Sequence, residues 1–246
     1  MNTTKVRIGI VGTSGWAELM FLTSLPSHPQ AEIAAICGRD QARANELAAK
    51  YAIPQVYADY HEMISRGKLD AVVVATPDDL HYPVTMAALD AKLHVLCEKP
   101  LAMNAAQAWE MYEKAEAAGV RHMVVFTWRW LPQVSYMLDL IAEGYIGRPY
   151  HADFRFITGF NRHHDYRWRL DPQRSLGELA DHGSHMFDLA RLYLGEISQV
   201  TAHIASHTTH SGSDGVQGSG TCPENSRFQP PHQDDYSRCT DCRNPE

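Results

Sequence analysis

The stretch Val6-Arg7-Ile8-Gly9-Ile10-Val11-Gly12-Thr13-Ser14-Gly15-Trp16-Ala17 decides the fold of this chain of 246 residues. Its first half is largely apolar, which is typical of a strand buried on both faces of a parallel sheet. A turn of small residues follows, and Glu18 to Leu25 has helical character until Pro26 ends it. A strand, a tight turn and a helix in this order are the context that a dinucleotide-binding fingerprint requires.

The turn itself matches the fingerprint G-x-G-x-x-G/A with one departure. Gly12 makes the tight turn, and Ala17 is small enough for close packing of helix against strand. Ser14 replaces the second glycine, so its Cβ restricts the approach of a pyrophosphate, although its hydroxyl group could donate to one. We expect cofactor binding at Gly12, Thr13, Ser14, Trp16 and Ala17, and an ordinary strand–helix turn is the alternative.

Strand-like and helical segments alternate through the first half of the chain. This alternation predicts an α/β fold with a doubly wound parallel sheet. It stops after Trp128-Arg129-Trp130-Leu131-Pro132, and we place a domain boundary near Phe126, so residues 1–126 form the first domain and 127–207 the second. The further strands of the first domain are expected at Ile33–Cys37, Ala71–Ala75, His94–Cys97 and Met123–Phe126.

The end of the second strand bears on the choice of cofactor. In sites for NAD an acidic residue near this position bonds the ribose 2′-hydroxyl group. Here the strand ends in Cys37-Gly38-Arg39, and an arginine binds phosphate through its bidentate fork. The sequence therefore favours NADP over NAD, while a solvated Arg39 with no ligand is the alternative.

A second cluster of charge follows the strand that ends at Cys97. Glu98 and Lys99 come at the carboxyl end of that strand, where open α/β sheets bind their ligands. Pro100 lacks an amide hydrogen and prevents the strand from continuing. A surface ion pair on a turn is the alternative reading.

A third group of candidate residues lies on the predicted helix Gly177–Leu194. Asp181 and His185 are four residues apart and project from one face of this helix. A histidine beside a carboxylate suits general acid–base catalysis, because its pKa lies near neutral pH. A solvated ion pair and a metal site that also includes Asp188 are the alternatives.

Taken together, these motifs resemble the Gfo/Idh/MocA family of nicotinamide-dependent oxidoreductases over roughly residues 5–206. The resemblance implies a Rossmann domain followed by an α/β domain with a mainly antiparallel sheet, which the alternation in Tyr150–Thr158 and Val200–Ser206 also suggests. Family members mostly oxidise a carbinol of a sugar, inositol or related polyol, or run the reverse reduction. The matching segments are Gly12–Ala17, Ala75-Thr76-Pro77 with His81, Glu98-Lys99-Pro100 and Asp181–His185.

The resemblance also assigns roles to residues. It implies that Lys99 and His185 flank the reacting carbinol as catalytic residues and that Asp181 supports them. Glu98 would orient Lys99 or the cofactor, and no metal is implied. The cofactor would be lined by Thr76, Pro77 and His81, with Arg129 close behind. A loop suited to hydroxyl-rich or anionic ligands would come from Arg162, His163, His164, Tyr166, Trp168 and Arg169.

Composition limits the partners. The net charge of −7 provides no excess of Lys and Arg for binding nucleic acid. No run approaches the roughly 18 apolar residues that a membrane span needs, and Met1 to Arg7 lack the core of a signal peptide. Cys37 and Cys97 lie in apolar strands, which suits a reducing compartment. We therefore expect a cytoplasmic protein that acts on a small molecule.

The segment 208–246 departs from the family pattern. Only six of its 39 residues are apolar or Cys, so we expect disorder and a truncated second domain. The full-length family would form homo-oligomers, but for this chain that stays open. A non-catalytic nucleotide-binding relative and a metal-dependent lyase or hydrolase are the alternative functions. Cys239 and Cys242 with Cys222 and His232 fit no common zinc pattern.

Overall fold

A computed structural model gives the structure of residues 5–158 and 168–204. It contains a six-stranded sheet in which every neighbouring pair of strands is parallel. The strand order is β3-β2-β1-β4-β5-β6, so the direction of winding reverses between β1 and β4. This confirms the predicted doubly wound sheet. The strands are β1 (Val6–Val11), β2 (Ala31–Cys37), β3 (Gln55–Tyr57), β4 (Ala71–Val74), β5 (His94–Glu98) and β6 (His122–Val125).

Helices connect the strands, and several begin where the sequence predicts a cap. Asp40 accepts a hydrogen bond from the Arg43 amide, and Asn104 accepts one from the Gln107 amide. Gly119 ends its helix with a positive φ. The helices are α1 (Gly15–Ala17), α2 (Gln41–Tyr51), α3 (Tyr60–Arg66), α4 (His81–Asp90), α5 (Ala105–Ala118), α6 (Pro132–Ala142) and α7 (Ser184–Leu194).

The core forms two apolar layers, one on each face of the sheet. Successive residues of a strand point to opposite faces, so Val73 joins one layer while Val72 and Val74 join the other. Leu47 of α2 packs in the layer of Val73, and Val84 of α4 packs in the layer of Val72. A sheet covered on both faces explains why its strands are apolar without alternation.

Two predicted helices differ from what the sequence indicates. α1 has three residues and passes into a π-helical turn at Glu18–Leu22, within the segment Glu18 to Leu25 that the sequence predicts as a helix. The predicted helix Gly177–Leu194 likewise opens with a π-helical turn at Leu179–Gly183 before α7 begins. A π-helical turn holds more residues than an α-helical turn, and apolar periodicity does not register this insertion.

The prediction of antiparallel strands at Tyr150–Thr158 and Val200–Ser206 is not met in the described residues. Residues 150–158 and 200–204 carry no strand. A strand needs a partner for its backbone groups and a surface for its side chains. Tyr150 and Ile157 are 99% and 93% exposed, so neither of these large side chains is covered by the described chain.

The described residues up to Ile197 belong to one compact unit, and the described part of the second unit, 198–204, has no regular secondary structure. The boundary near Phe126 stays a prediction. Residues 162–166 and the segment 208–246, which contains the Cys and His residues considered as zinc ligands, lie outside the described residues. No helix among residues 5–158 and 168–204 is both long and apolar enough to span a membrane.

Candidate active site

A cleft of about 1260 Å³ opens at the carboxyl ends of β1, β2, β4 and β5. This is the edge of the sheet where the strand order reverses, which is the usual ligand site of a doubly wound fold. Gly12, Lys99 and His185 all line this one cleft. The structure therefore brings together the three groups that the sequence singles out.

The turn after β1 forms one wall of the cleft. Gly12 has a φ of 133°, and a Cβ on it would lie 2.8 Å from the carbonyl carbon of Ala75 and closer still to the oxygen. The hydroxyl oxygen of Ser14 accepts a hydrogen bond from the Ala17 amide at 3.1 Å, so this serine acts as a helix cap. Thr13, Ser14 and Trp16 line the cleft, whereas Ala17 is fully buried in the core.

Two arginines line the cleft beyond the end of β2. Arg39 is exposed and makes no side-chain ion pair within the described part of the chain. Asp40 also lines the cleft, and one of its two carboxylate oxygens caps α2 by accepting from the Arg43 amide. Arg43, which the sequence analysis missed, forms ion pairs with Glu18 and with Glu46. The position of Arg43 in the first turn of α2, next to the end of β2, is the sequence signal that could have predicted its place at the cleft.

The loop after β4 supplies Thr76 and Pro77 to the cleft. The Thr76 hydroxyl oxygen is buried and has no hydrogen-bond partner among the described residues. A buried polar atom without a partner is costly, so its place in the cleft fits a ligand that bonds it. This orphaned oxygen, the Gly12 turn and the size of the cleft fit a dinucleotide.

His81 lies behind this wall and does not line the cleft. It is 1% exposed, and its Nδ1 and Nε2 lie 2.6 and 3.0 Å from the carbonyl oxygens of Pro100 and Thr76. Because both carbonyls can only accept, both ring nitrogens donate, as in an imidazolium. Burial opposes that charge, but Cys97, the Pro100 carbonyl and Asp78 outweigh it and raise the pKa of His81 to about 9. His81 thus ties the ends of β4 and β5 together.

Glu98 ends β5 with a buried carboxylate that lines the cleft, and 5% of the residue is exposed. Its Oε1 accepts a hydrogen bond from the indole Nε1 of Trp16 at 2.7 Å. Its Oε2 accepts one from the backbone amide of Lys99 at 3.2 Å. Burial raises the pKa of Glu98, and the two donors act in the opposite direction.

Lys99 reaches across the cleft to the π-helical turn before α7. Its Nζ donates to the Asp181 carbonyl oxygen at 2.8 Å and to Oδ1 of the same residue. Oδ2 of Asp181 accepts from Arg169 Nε at 3.1 Å. Burial by itself raises the pKa of Asp181, but Lys99 and then Arg169 outweigh it and hold that pKa below its usual value. The Lys99–Pro100 peptide bond is cis.

His185 forms the opposite wall, and its ring is held by aromatic contacts. It stacks on Trp128 with centroids 4.4 Å apart and an angle of 8°, and it meets Phe126 edge-on at 5.8 Å. Its Nδ1 is buried without a partner among the described residues. Burial and the nearby Lys99 ammonium lower the pKa of His185 to about 4, so the ring is neutral at pH 7.

The carboxylates near His185 differ from the expected pairing. Asp181 contacts Lys99 and Arg169, and no hydrogen bond joins it to His185 in the described structure. The π-helical turn that contains Asp181 changes the angle at which two residues four apart project. Asp188 accepts from Arg129 Nε and from a terminal guanidinium nitrogen at 2.7 and 2.6 Å.

Arg129 is not among the residues that line the cleft. Its pairing with Asp188 joins the 3-10 turn Thr127–Trp130 to α7, and this turn carries Trp128 under the His185 ring. Its expected role as a cofactor contact stays a prediction. Among residues 5–158 and 168–204, no three His, Cys, Asp or Glu residues are grouped so that they could hold a metal ion.

The far end of the cleft contains residues that the sequence analysis missed. The Ser175 hydroxyl donates to the buried Asp78 carboxylate at 2.7 Å, and Arg174 lies 3.4 Å from Asp79. These contacts hold the segment before α7 against the loop after β4. Trp168 and Arg169 also line the cleft, with the guanidinium 4.3 Å from the centre of the indole. Contacts across more than 90 residues leave no local signal in the sequence.

Comparison with known proteins identifies the class. Residues 6–126 match the profile of an oxidoreductase family with an NAD-binding Rossmann fold, and residues 134–235 match the GFO/IDH/MocA C-terminal domain. The chain belongs to the Gfo/Idh/MocA oxidoreductase family, which confirms the predicted resemblance.

Individual relatives are dehydrogenases. The chain is 33% identical over 197 residues to D-xylose 1-dehydrogenase (NADP(+)) 2 of Haloferax volcanii, covering 79% of this chain and 59% of that protein. It is 31% identical over 232 residues to trans-1,2-dihydrobenzene-1,2-diol dehydrogenase of Mus musculus, covering 88% of this chain and 68% of that protein.

A solved structure of levoglucosan dehydrogenase in complex with NADH and L-sorbose is 27% identical, with a TM-score of 0.66. That likeness covers 79% of this chain and 54% of the other. The chain thus spans little more than half the length of several proteins that it matches.

Proposed function

We propose that this chain binds a nicotinamide dinucleotide in the cleft and transfers a hydride between it and a carbinol or carbonyl group of a sugar, inositol or related polyol. One observation carries the proposal: Lys99 and a neutral His185 line the same cleft as the Gly12 turn. The names of the relatives, which include a xylose dehydrogenase and a complex of NADH with a sugar, support the substrate class.

The cofactor, when bound, supplies the hydride acceptor or donor. Lys99 has three ammonium hydrogens and uses two of them on Asp181, which leaves one to donate to the substrate oxygen. This donor stabilises negative charge that develops on that oxygen. The neutral imidazole of His185 can accept the hydroxyl proton during oxidation. Its pKa of about 4, well below the near-neutral value that the sequence analysis assumed, makes the ring a weak base and disfavours the imidazolium that would return the proton during reduction. Asp181 holds the ammonium of Lys99 in place.

The surroundings of these groups suit a polyol. Trp128, Phe156 and Trp168 offer apolar ring surfaces to the cleft. Lys99 and Arg169, two cations of this part of the cleft, are each paired with Asp181. A neutral ligand with many hydroxyl groups can contact such apolar faces and bond the remaining donors and acceptors.

The preference for NADP over NAD rests on Arg39. This guanidinium lines the cleft and has no ion-pair partner in the described chain, and the neighbouring Asp40 carboxylate uses one of its two oxygens to cap α2. The Arg39 guanidinium is therefore available for a 2′-phosphate. Homo-oligomer formation and a cytoplasmic location stay predictions.

Titration of the purified chain with NADPH and NADH, followed by assays on sugars and inositols, tests the proposal. We expect binding of both nucleotides, with NADPH tighter, and turnover of at least one polyol. Arg39→Gln is expected to weaken NADPH about tenfold and to leave NADH unchanged, because one phosphate contact is lost. Binding without any turnover would favour a non-catalytic nucleotide-binding protein, and failure to bind either nucleotide would overturn the proposal.

A further inference from the structure

The carboxylate of Glu98 is unusual for a buried charge. Both of its oxygens accept hydrogen bonds, but the donors are the neutral indole of Trp16 and the backbone amide of Lys99. No Lys, Arg or His forms an ion pair with it among the described residues. Lys99 and His81 lie close enough to lower the pKa of Glu98 through space, but neither side chain makes an ion pair with it. A buried carboxylate that no cation contacts directly favours a cationic ligand.

The position of Glu98 indicates which cation that is. Glu98 precedes Lys99 on β5, and both residues line the cleft. Under the proposed function, on which this inference rests, the nicotinamide ring must lie near the carbinol that Lys99 contacts. The ring is positively charged when the cofactor is oxidised and neutral when it is reduced. A carboxylate beside it therefore attracts one redox state more than the other.

Trp16 holds this charge in place from the other side. Its indole lies in the first turn after β1, on the wall of the cleft that the Gly12 turn forms, and donates to Oε1 at 2.7 Å. A donor to a carboxylate favours the ionised form. The bond joins the nucleotide-binding turn to the end of the strand that carries Lys99, across 82 positions of the sequence.

We propose that Glu98, held by Trp16, is the counter-charge of the oxidised nicotinamide, so that the cleft binds the oxidised cofactor more tightly than a cleft without this carboxylate would. Glu98 is then a positioning and electrostatic group for the cofactor. It discriminates between redox states, whereas Arg39 discriminates between NADP and NAD.

Calorimetric titration of the full chain with NADP⁺ and with NADPH tests this inference without any turnover. In Glu98→Gln, the ratio of the dissociation constant for NADP⁺ to that for NADPH is expected to rise about tenfold, since one close charge contact is removed. Gln retains one oxygen, which can accept from the indole, but its NH2 group cannot accept from the Lys99 amide. The ratio of the two dissociation constants is therefore the readout, because a distortion that weakens both redox states equally leaves it unchanged. Trp16→Phe is expected to shift the ratio in the same direction by about threefold, because the carboxylate loses a donor.

Trp109→Phe is the matched control. Trp16 and Trp109 are both 41% exposed, but Trp109 lies on α5 and does not line the cleft. Its replacement is expected to leave the ratio unchanged. Equal weakening of both redox states in Glu98→Gln, or an unchanged ratio, would overturn the inference, and Trp16→Phe decides if Glu98→Gln does not fold. Wild-type protein that binds neither form would instead overturn the proposed function.

Discussion

Replacement of Gly12 by alanine tests how the nucleotide-binding turn is built. The φ of 133° is a conformation that residues with a side chain rarely adopt, and the added Cβ would meet the backbone carbonyl of Ala75. Backbone strain of this kind costs about 1–3 kcal/mol, and overpacking costs about 1–3 kcal/mol more. Since the obstructing atoms are backbone and cannot rotate away, we expect Gly12→Ala to lower the free energy of unfolding by about 2–6 kcal/mol.

Gly15→Ala is the matched control in the same turn. A Cβ on Gly15 meets nothing within 4 Å, and the residue begins α1 without a positive φ. Alanine in place of glycine in a helix stabilises by roughly 0.5–1 kcal/mol. We therefore expect Gly15→Ala to be neutral or slightly stabilising.

Urea unfolding followed by circular dichroism measures both variants, and the same samples are titrated with NADPH. We expect weak or absent NADPH binding in Gly12→Ala even where it is folded, because the turn must shift away from Ala75. The reasoning is refuted if Gly12→Ala is as stable as the wild type, or if Gly15→Ala loses as much stability as Gly12→Ala.

Three further predictions concern the second half of the site. Arg129→Ala is expected to lower turnover at least tenfold with little change in NADPH affinity. The substitution releases the turn that carries Trp128 under the His185 ring and leaves the buried Asp188 without its partner. Steady-state kinetics together with NADPH titration checks this. His185 has a pKa of about 4 in the folded chain and about 6.5 in the unfolded chain, so it binds fewer protons in the folded state. The free energy of unfolding should therefore rise by up to about 3 kcal/mol between pH 4 and 6.5. Urea unfolding should show this rise in the wild type, and the same rise in His185→Asn would contradict the assignment. Ser175→Ala is expected to cost about 1.5–3 kcal/mol in urea unfolding, since Asp78 loses the hydroxyl that donates to it.

The sequence predicts the first domain well, because its signals are local. Asp40 and Asn104 cap helices through residues three positions away, and the apolar runs need only a covered sheet to become strands. Gly12 is likewise predictable, because a turn between strand and helix that packs closely on its neighbour requires glycine.

The candidate site is predictable in its residues but not in its contacts. Lys99 and His185 do line one cleft, yet the carboxylate expected beside the histidine contacts the lysine instead. Arg129 pairs with Asp188 across 59 positions of the sequence, and no local pattern indicates such a pairing. The prediction of antiparallel strands was wrong for a related reason: alternation of apolar and polar residues does not supply the partner strand that a strand requires.

The role of Lys99 is tested most directly by comparing Lys99→Ala with the wild type, with cofactor binding and hydride transfer assayed separately. Because the Lys99 ammonium is held by Asp181 and is proposed to contact the substrate oxygen, we predict that NADPH affinity stays within about threefold and that turnover of the best polyol falls by about a thousandfold. Substantial turnover in Lys99→Ala would contradict the central claim that Lys99 acts on the reacting oxygen.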